Sequence, residues 1–240
     1  MSAAYGLRYE ARNALMRRGR LYLAYSWLKV PDRTLGRRTQ IVIEGPRRSG
    51  NTFAVAAFEL AQPNPVVVAH HRHAGVHVVG GVRRGLPALV LVREPQDAVL
   101  SYVLYERGRI TVRQALRAYA RFYEDVLPYL DGVVVATFES VTSDFGRVVR
   151  AVNDRFGTDF AVFEHTAENV ERCFARIEDE HRRRFGRVCE ERIARPSAQR
   201  AASAAALHER FRSEPPALRT RADELHAFFS SLDETVAVAA

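Results

Sequence analysis

Lysine is almost absent from this chain: Lys29 is the only one in 240 residues, although lysine and arginine together number 36. No glycine-bounded loop further along can therefore carry the lysine that clamps the β- and γ-phosphates of a nucleoside triphosphate. Cysteine is equally scarce. Cys173 and Cys189 form no Cys-x-x-Cys pair, which excludes a disulfide scaffold and a cysteine zinc site and suits free thiols in a reducing compartment. No uninterrupted apolar run approaches the roughly 18 residues of a membrane span. The first ten residues reach Arg8 without a signal-peptide hydrophobic core, so a cytoplasmic location is the expectation.

Acidic residues are also sparse at the N-terminal end. Residues 1–40 hold nine basic side chains against Glu10 and Asp32, a local charge of +7 in a chain of +8. The abundance of arginine alone identifies no mechanism, but its location is informative. Arg17, Arg18 and Arg20 run directly into the aromatic-rich stretch Leu21–Leu28. That pattern suits peripheral membrane contact through residues 8–30, or a lip that gathers acidic substrate. The plainer expectation is a helix that packs its aromatic side on the core and turns its arginines to water.

What the chain does contain is two strand–turn–helix signatures. In the first, the apolar run Ile41-Val42-Ile43 leads into Glu44-Gly45-Pro46-Arg47-Arg48-Ser49-Gly50-Asn51-Thr52-Phe53. A buried strand, a glycine-bounded loop and a helix start are the architecture that holds a phosphate on backbone N–H groups. The spacing Gly45-x-x-x-x-Gly50-x-Thr52 fits a P-loop except that Asn51 stands where the lysine belongs, and the positive charge sits upstream at Arg47 and Arg48. In the second, Leu89–Val92 precedes Arg93, Pro95 suits the first turn of a helix, and Asp97 and Ser101 share one face. Arg93 at a strand tip and Ser101 just inside the helix can then converge on one anion.

Together these segments resemble the two nucleotide-binding motifs of the sulfotransferase family. The resemblance implies that Arg47, Arg48, Ser49, Gly50, Asn51, Thr52 and Phe53 hold the 5′-phosphosulfate end of 3′-phosphoadenosine-5′-phosphosulfate (PAPS), and that Arg93 and Ser101 hold its 3′-phosphate. Arg48 would stabilise charge at the leaving group, where many relatives carry lysine, and Phe53 stands where they often carry a tryptophan near the adenine. It implies a base as well. Sliding the family's strand-end histidine onto Ala69-His70-His71 selects His71, with His70 and His73 as alternatives. A metal reading of His70-His71-x-His73 lacks a nearby carboxylate or cysteine cluster, so no metal is expected. Thr137–Thr142 is similar to a fold-supporting turn of the family. The family's late Arg-Lys-Gly loop has no counterpart, and Arg195, Ser197 and Arg200 are the nearest substitutes.

Strand signals near 41–45, 65–69, 88–92 and 133–137 alternate with helical stretches near 52–61, 95–107, 111–128 and 142–156. This alternation predicts a three-layer α/β fold with a mostly parallel sheet, a P-loop and helices on both faces, followed by a charged helical C-terminal region over 162–212. One domain spanning 1–240 is expected, with the basic aromatic segment at 1–38, the nucleotide-binding core at 39–160 and a helical part at 161–240. The chain is then expected to be a PAPS-dependent enzyme acting on a small-molecule, carbohydrate or lipid acceptor. The competing readings are a P-loop kinase, which needs Mg²⁺ and a carboxylate to hold it, and a non-enzymatic basic module binding nucleic acid or membrane. No strand ends in a clear metal-holding aspartate, and nucleic acid is not the expected partner.

Overall fold

The computed structural model describes residues 3–16, 18–190, 192–196, 198, 202–203 and 206–233. Ser197, Arg200 and the C-terminal tail lie outside the described residues.

Four short parallel strands form the centre: β1 (Ile41–Glu44), β2 (Val68–His70), β3 (Ala88–Val92) and β4 (Val134–Thr137), in the order β2-β1-β3-β4. Alternate residues of each strand enter different cores, as the two-residue period of a pleated strand requires. Ile41, Ile43, Leu89 and Leu91 face one side, and Val42, Ala88, Val90 and Val92 the other. Because both faces are covered, the strands read as unbroken apolar runs. On the first side pack α3 (Asn51–Ala61), α8 (Phe145–Phe156) and α9 (Ala167–Phe185). On the second side pack α4 (Gly75–Val82), α5 (Pro95–Tyr105), α6 (Val112–Val126) and, late in the chain, α11 (Pro216–Ser230). The three-layer α/β fold read from the sequence is the fold observed.

The strand order fixes where a ligand site belongs. From β1 the chain crosses to β2 on one side, and from β3 it crosses to β4 on the other, so the topology reverses between β1 and β3. Ligands in open parallel sheets bind at the carboxyl ends of the strands at such a reversal. The loop after Glu44 and the residue after Val92, Arg93, are the two segments leaving that point.

Several boundaries differ from expectation, each for a local reason. β2 begins at Val68, because Val67 pairs instead with the main chain and side chain of Gln40. The stretch 142–156 is two helices, α7 (Phe138–Ser143) and α8, separated by Asp144, whose side chain accepts the Arg147 N–H at 3.2 Å and caps α8. Helix α4 carried no helical signal, since its sequence is Gly75-Val-His-Val-Val-Gly-Gly-Val82. Tertiary packing imposes it: Gly81 lies so close to the sheet that a Cβ there would sit 2.6 Å from Val42, and β-branched residues otherwise disfavour helix only weakly. Residues 162–212 are less helical than expected. α9 ends at Gly186 in a left-handed cap, and the next described helices are α10 (His208–Arg212) and α11.

The N-terminal segment forms α1 (Ala3–Met16) and α2 (Gly19–Lys29). Tyr22 and Ser26 of α2 are fully buried, but the expectation that the aromatic side packs on the core holds only for Tyr22, since Tyr25 and Trp27 are exposed. The opposite face of α2 is not charged, however. Leu21, Ala24, Tyr25 and Leu28 are all exposed there, Leu28 by 77%.

Candidate phosphate-binding and histidine site

The glycine-bounded loop enters α3 through Gly50, which adopts φ 87° and supplies no side-chain cap. The first N–H groups of α3 therefore lack a side-chain acceptor, and the positive end of the helix dipole is open to an anion. Asn51, at the lysine position, does not point at such an anion. Its Nδ2 donates to the Pro46 carbonyl at 2.9 Å and closes the loop on itself. Ser49 and Asn51 are both buried. Phe53 is a core residue, packed against Phe163, Phe174 and His165.

Arg47 and Arg48 part company. Arg48 has φ 71°, a left-handed conformation rare for a residue with a side chain. Its Nε donates to Ser101 Oγ at 3.0 Å, its Nη1 to the Arg192 carbonyl at 3.2 Å and its Nη2 to the Ile193 carbonyl at 3.0 Å. Its own carbonyl accepts Arg93 Nη1 at 2.9 Å. Arg93 also reaches Asp97 at 3.3 Å and lies over the Phe138 ring, 4.2 Å from its centroid. Arg48, Arg93 and Ser101 thus form one cluster, in which Arg48 stands between the other two. The Arg47 guanidinium turns the other way, 5.1 Å from the Tyr102 ring centroid.

The second half of the site is the loop after β2. Glu44, the last residue of β1, is completely buried, and its carboxyl oxygens accept the N–H of Arg72 at 2.7 Å and of His73 at 2.9 Å. His71 and His73 both take positive φ, 57° and 53°. Of the four side-chain-bearing residues in this conformation among those described, three (Arg48, His71 and His73) border the same strand ends, and such strain is retained where surrounding structure over-determines it. His71 Nε2 is 3.0 Å from Thr52 Oγ1, which ties the histidine loop to the start of α3, and its Nδ1 contacts His70 Nδ1. His73 Nδ1 contacts the Gly45 carbonyl at 3.0 Å. The Gly45 carbonyl can only accept, so His73 carries its hydrogen on Nδ1 and presents Nε2 as an acceptor, while the His71 contacts to a hydroxyl and an imidazole nitrogen suit either tautomer.

Burial decides the charge of these groups. It holds His71 and His73 well below the ordinary histidine range and lowers His70 and His77 to about 3, with nearby arginines acting in the same direction. The histidines are therefore neutral bases at neutral pH. Burial raises Glu44 to about 8, against the pull of its two backbone N–H donors. His77 lies 3.5 Å from Glu44, within ion-pair range but not aligned as a hydrogen bond.

Sequence reading missed two participants. Glu44 was legible only as a charge at the end of an apolar strand. Phe138 underlies Arg93 and also meets the position where a Cβ on Gly50 would stand, at 3.3 Å. The Thr137–Thr142 turn that carries it is braced by Asp233, which accepts from the Thr137 N–H and from the hydroxyls of Thr137 and Ser140. Of the substitutes for the late loop, Arg195 is committed to Glu178 and Glu190, at 2.6 and 2.8 Å. The same stretch nevertheless reaches the site through the carbonyls of Arg192 and Ile193.

Two outcomes follow from the buried groups. A histidine whose folded pKa is depressed contributes stability above about pH 6.5 that is lost as pH falls, at about 1.4 kcal/mol per pH unit for each group. With four such histidines, thermal stability should drop steeply between pH 6.5 and 5, and a flat melting temperature across that interval would contradict the assignment. Glu44 has the opposite sign, its contribution fading as pH rises towards 8. Glu44→Gln leaves one backbone N–H without an acceptor and should cost about 1–3 kcal/mol in denaturant titrations at pH 6, less at pH 9.

Comparison with known protein families finds no match, and no curated protein matches. Among solved structures, the mouse sulfotransferase SULT7A1 complexed with PAP is similar at 14% identity, over 85% of this chain and 93% of that one, with a TM-score of 0.43.

Proposed function

We propose that this chain transfers a sulfuryl group from PAPS to a hydroxyl or amine of a small-molecule, carbohydrate or lipid acceptor. One observation carries the reading: an uncapped helix start in a lysine-free loop lies between an arginine–serine cluster and a pair of neutral histidines. The co-substrate supplies the sulfuryl group and departs as 3′,5′-adenosine bisphosphate. In this reading the first N–H groups of α3 and the Thr52 hydroxyl hold the 5′-phosphate end. Arg93 and Ser101 hold the 3′-phosphate, and Arg48 offsets charge developing between the two ends. His71 takes the acceptor's proton on Nε2, the nitrogen that faces Thr52 and the start of α3. His73 presents its own Nε2 close by and is the second candidate.

A P-loop kinase fits less well. Glu94, the carboxylate after β3, uses its oxygens on the N–H groups of Gln96 and Asp97 at 3.0 and 2.6 Å, which makes it the cap of α5. Asp97 is engaged by Arg93.

A thermal-shift comparison separates the readings. Stabilisation by 3′,5′-adenosine bisphosphate should exceed that by ADP or by ATP with Mg²⁺, and the reverse preference would favour the kinase. Arg93→Ala removes a charge-assisted contact and should weaken bisphosphate binding about 10- to 100-fold. His71→Ala should keep that binding and lose turnover by about 100- to 10,000-fold. Full turnover in that variant, with loss in His73→Ala, would move the base to His73.

A further inference from the structure

We infer that the cavity into which Arg47 turns is an anion-recognising subsite, which selects acceptors bearing a carboxylate. The inference rests on the sulfotransferase reading for the word acceptor, but the anion site itself does not. The cavity lies between α1, α5, α6 and the loop, and is lined by Arg47, Arg12, Tyr9, Tyr102, Pro46 and His73. Arg47 faces Tyr102. Arg12 donates to the Arg72 carbonyl at 3.2 Å and to the Tyr22 hydroxyl at 3.5 Å. Among the described residues, no carboxylate lies within ion-pair distance of either guanidinium. Arg47 senses Glu106, which is bound by the Tyr5 hydroxyl, and acts on Glu44, whose oxygens serve the Arg72 and His73 N–H groups. Arg47 and Arg12, each partly buried, line one cavity with no carboxylate between them, an arrangement that an anion would complete through charge-assisted hydrogen bonds. At about 30 Å³ the cavity holds one or two waters or a carboxylate, but not a ring. A carboxylate seated there leaves the rest of the molecule at the mouth that His73 lines, where its hydroxyl would react. The Tyr102 hydroxyl, whose pKa burial raises, stays protonated and can donate to the anion, whereas the Tyr9 hydroxyl donates to the Gln114 carbonyl at 3.4 Å.

The test uses 4-hydroxyphenylacetate and tyramine, which share a phenol and differ in the sign of the side-chain charge. In calorimetric titrations of the whole chain saturated with 3′,5′-adenosine bisphosphate, the acid should bind at least 10-fold more tightly than the amine. Arg47→Gln should abolish that difference. Equal binding of acid and amine, acid binding that survives Arg47→Gln, or displacement of the bisphosphate by the acid would each overturn the subsite. If the bisphosphate fails to bind while the acid still discriminates, the sulfotransferase reading falls and the anion site stands.

A separate observation concerns α2, and the geometry points to a lipid surface as its partner. Leu21, Ala24, Tyr25 and Leu28 occupy positions i, i+3, i+4 and i+7, the spacing that normally faces a core. Here that stripe faces solvent, with Leu21 exposed by 57%, and Leu7 of α1 is exposed as well. Exposed Arg8, Arg18, Lys29, Arg37 and Arg38 belong to the same N-terminal segment, which holds nearly all of the chain's net positive charge. An apolar helical stripe with basic neighbours is complementary to an anionic bilayer and requires no other feature of the fold. The chain should co-sediment with vesicles of phosphatidylglycerol and phosphatidylcholine but not of phosphatidylcholine alone, with binding weakened by salt. Leu21→Gln combined with Leu28→Gln should reduce it at least fivefold without lowering the melting temperature. Absence of vesicle binding, indifference to lipid charge, or a concentration-dependent dimer that the double variant abolishes would overturn the proposal.

Discussion

The buried carboxyl of Glu44 is the contact on which the rest of the site depends. It ends the strand that leads into the glycine-bounded loop, and it receives the main-chain N–H groups of Arg72 and His73 from the neighbouring strand's loop. One side chain thereby ties the glycine-bounded loop to the histidine loop. Losing this acceptor would leave those N–H groups unpaired, at about 1–3 kcal/mol for an unmade buried hydrogen bond. The left-handed backbone of His71 and His73 is tolerated because this clamp, the Thr52 contact and the Gly45 carbonyl leave the loop few alternatives.

Scarcity of lysine has a structural counterpart in Arg48. A guanidinium offers several donors in a rigid plane, whereas an ammonium is a compact point. Arg48 uses that plane to reach a hydroxyl on α5 and two consecutive carbonyls near the C-terminal end, while its own carbonyl receives Arg93. The loop is thus cross-braced to both the second motif and the late segment. A lysine would offer its three N–H groups from a single nitrogen and lack the planar span that reaches acceptors on separate segments. The late segment, which contains no Arg-Lys-Gly tripeptide, is drawn to the site by its main chain.

The parts of this arrangement that were legible in sequence are those written into local chemistry. An apolar run before Gly45, Gly50 at the turn and Pro95 at a helix start each constrain the backbone within a few residues, so β1, α3, β3 and α5 emerged where expected. Side-chain direction was not legible. Arg47 and Arg48 are adjacent and chemically identical, and only the positive φ at Arg48 sends them to opposite sides of the loop. Phe53 was aligned with a base-stacking position, but its place is set by Phe163 and Phe174, more than a hundred residues later. Helix α4 was invisible for a related reason: its glycine is required by Val42 across the sheet, not by its own neighbours.

Charge and burial together explain why so many cations can crowd these strand ends. Arg93 rests on the Phe138 ring and pairs with Asp97, while Arg47 lies over Tyr102 and Arg48 near Tyr105, so aromatic faces share with a carboxylate the stabilisation of the guanidinium charge. The histidines remain uncharged and add no repulsion. Carboxylates here are placed to serve the main chain: Glu44 holds a loop and Glu94 caps a helix. An aromatic face can share a cation with an incoming anion, because it has no full charge to displace, whereas a carboxylate would compete with that anion directly. A strand edge built this way keeps its arginines folded in place and still receptive to a ligand carrying negative charge at more than one point.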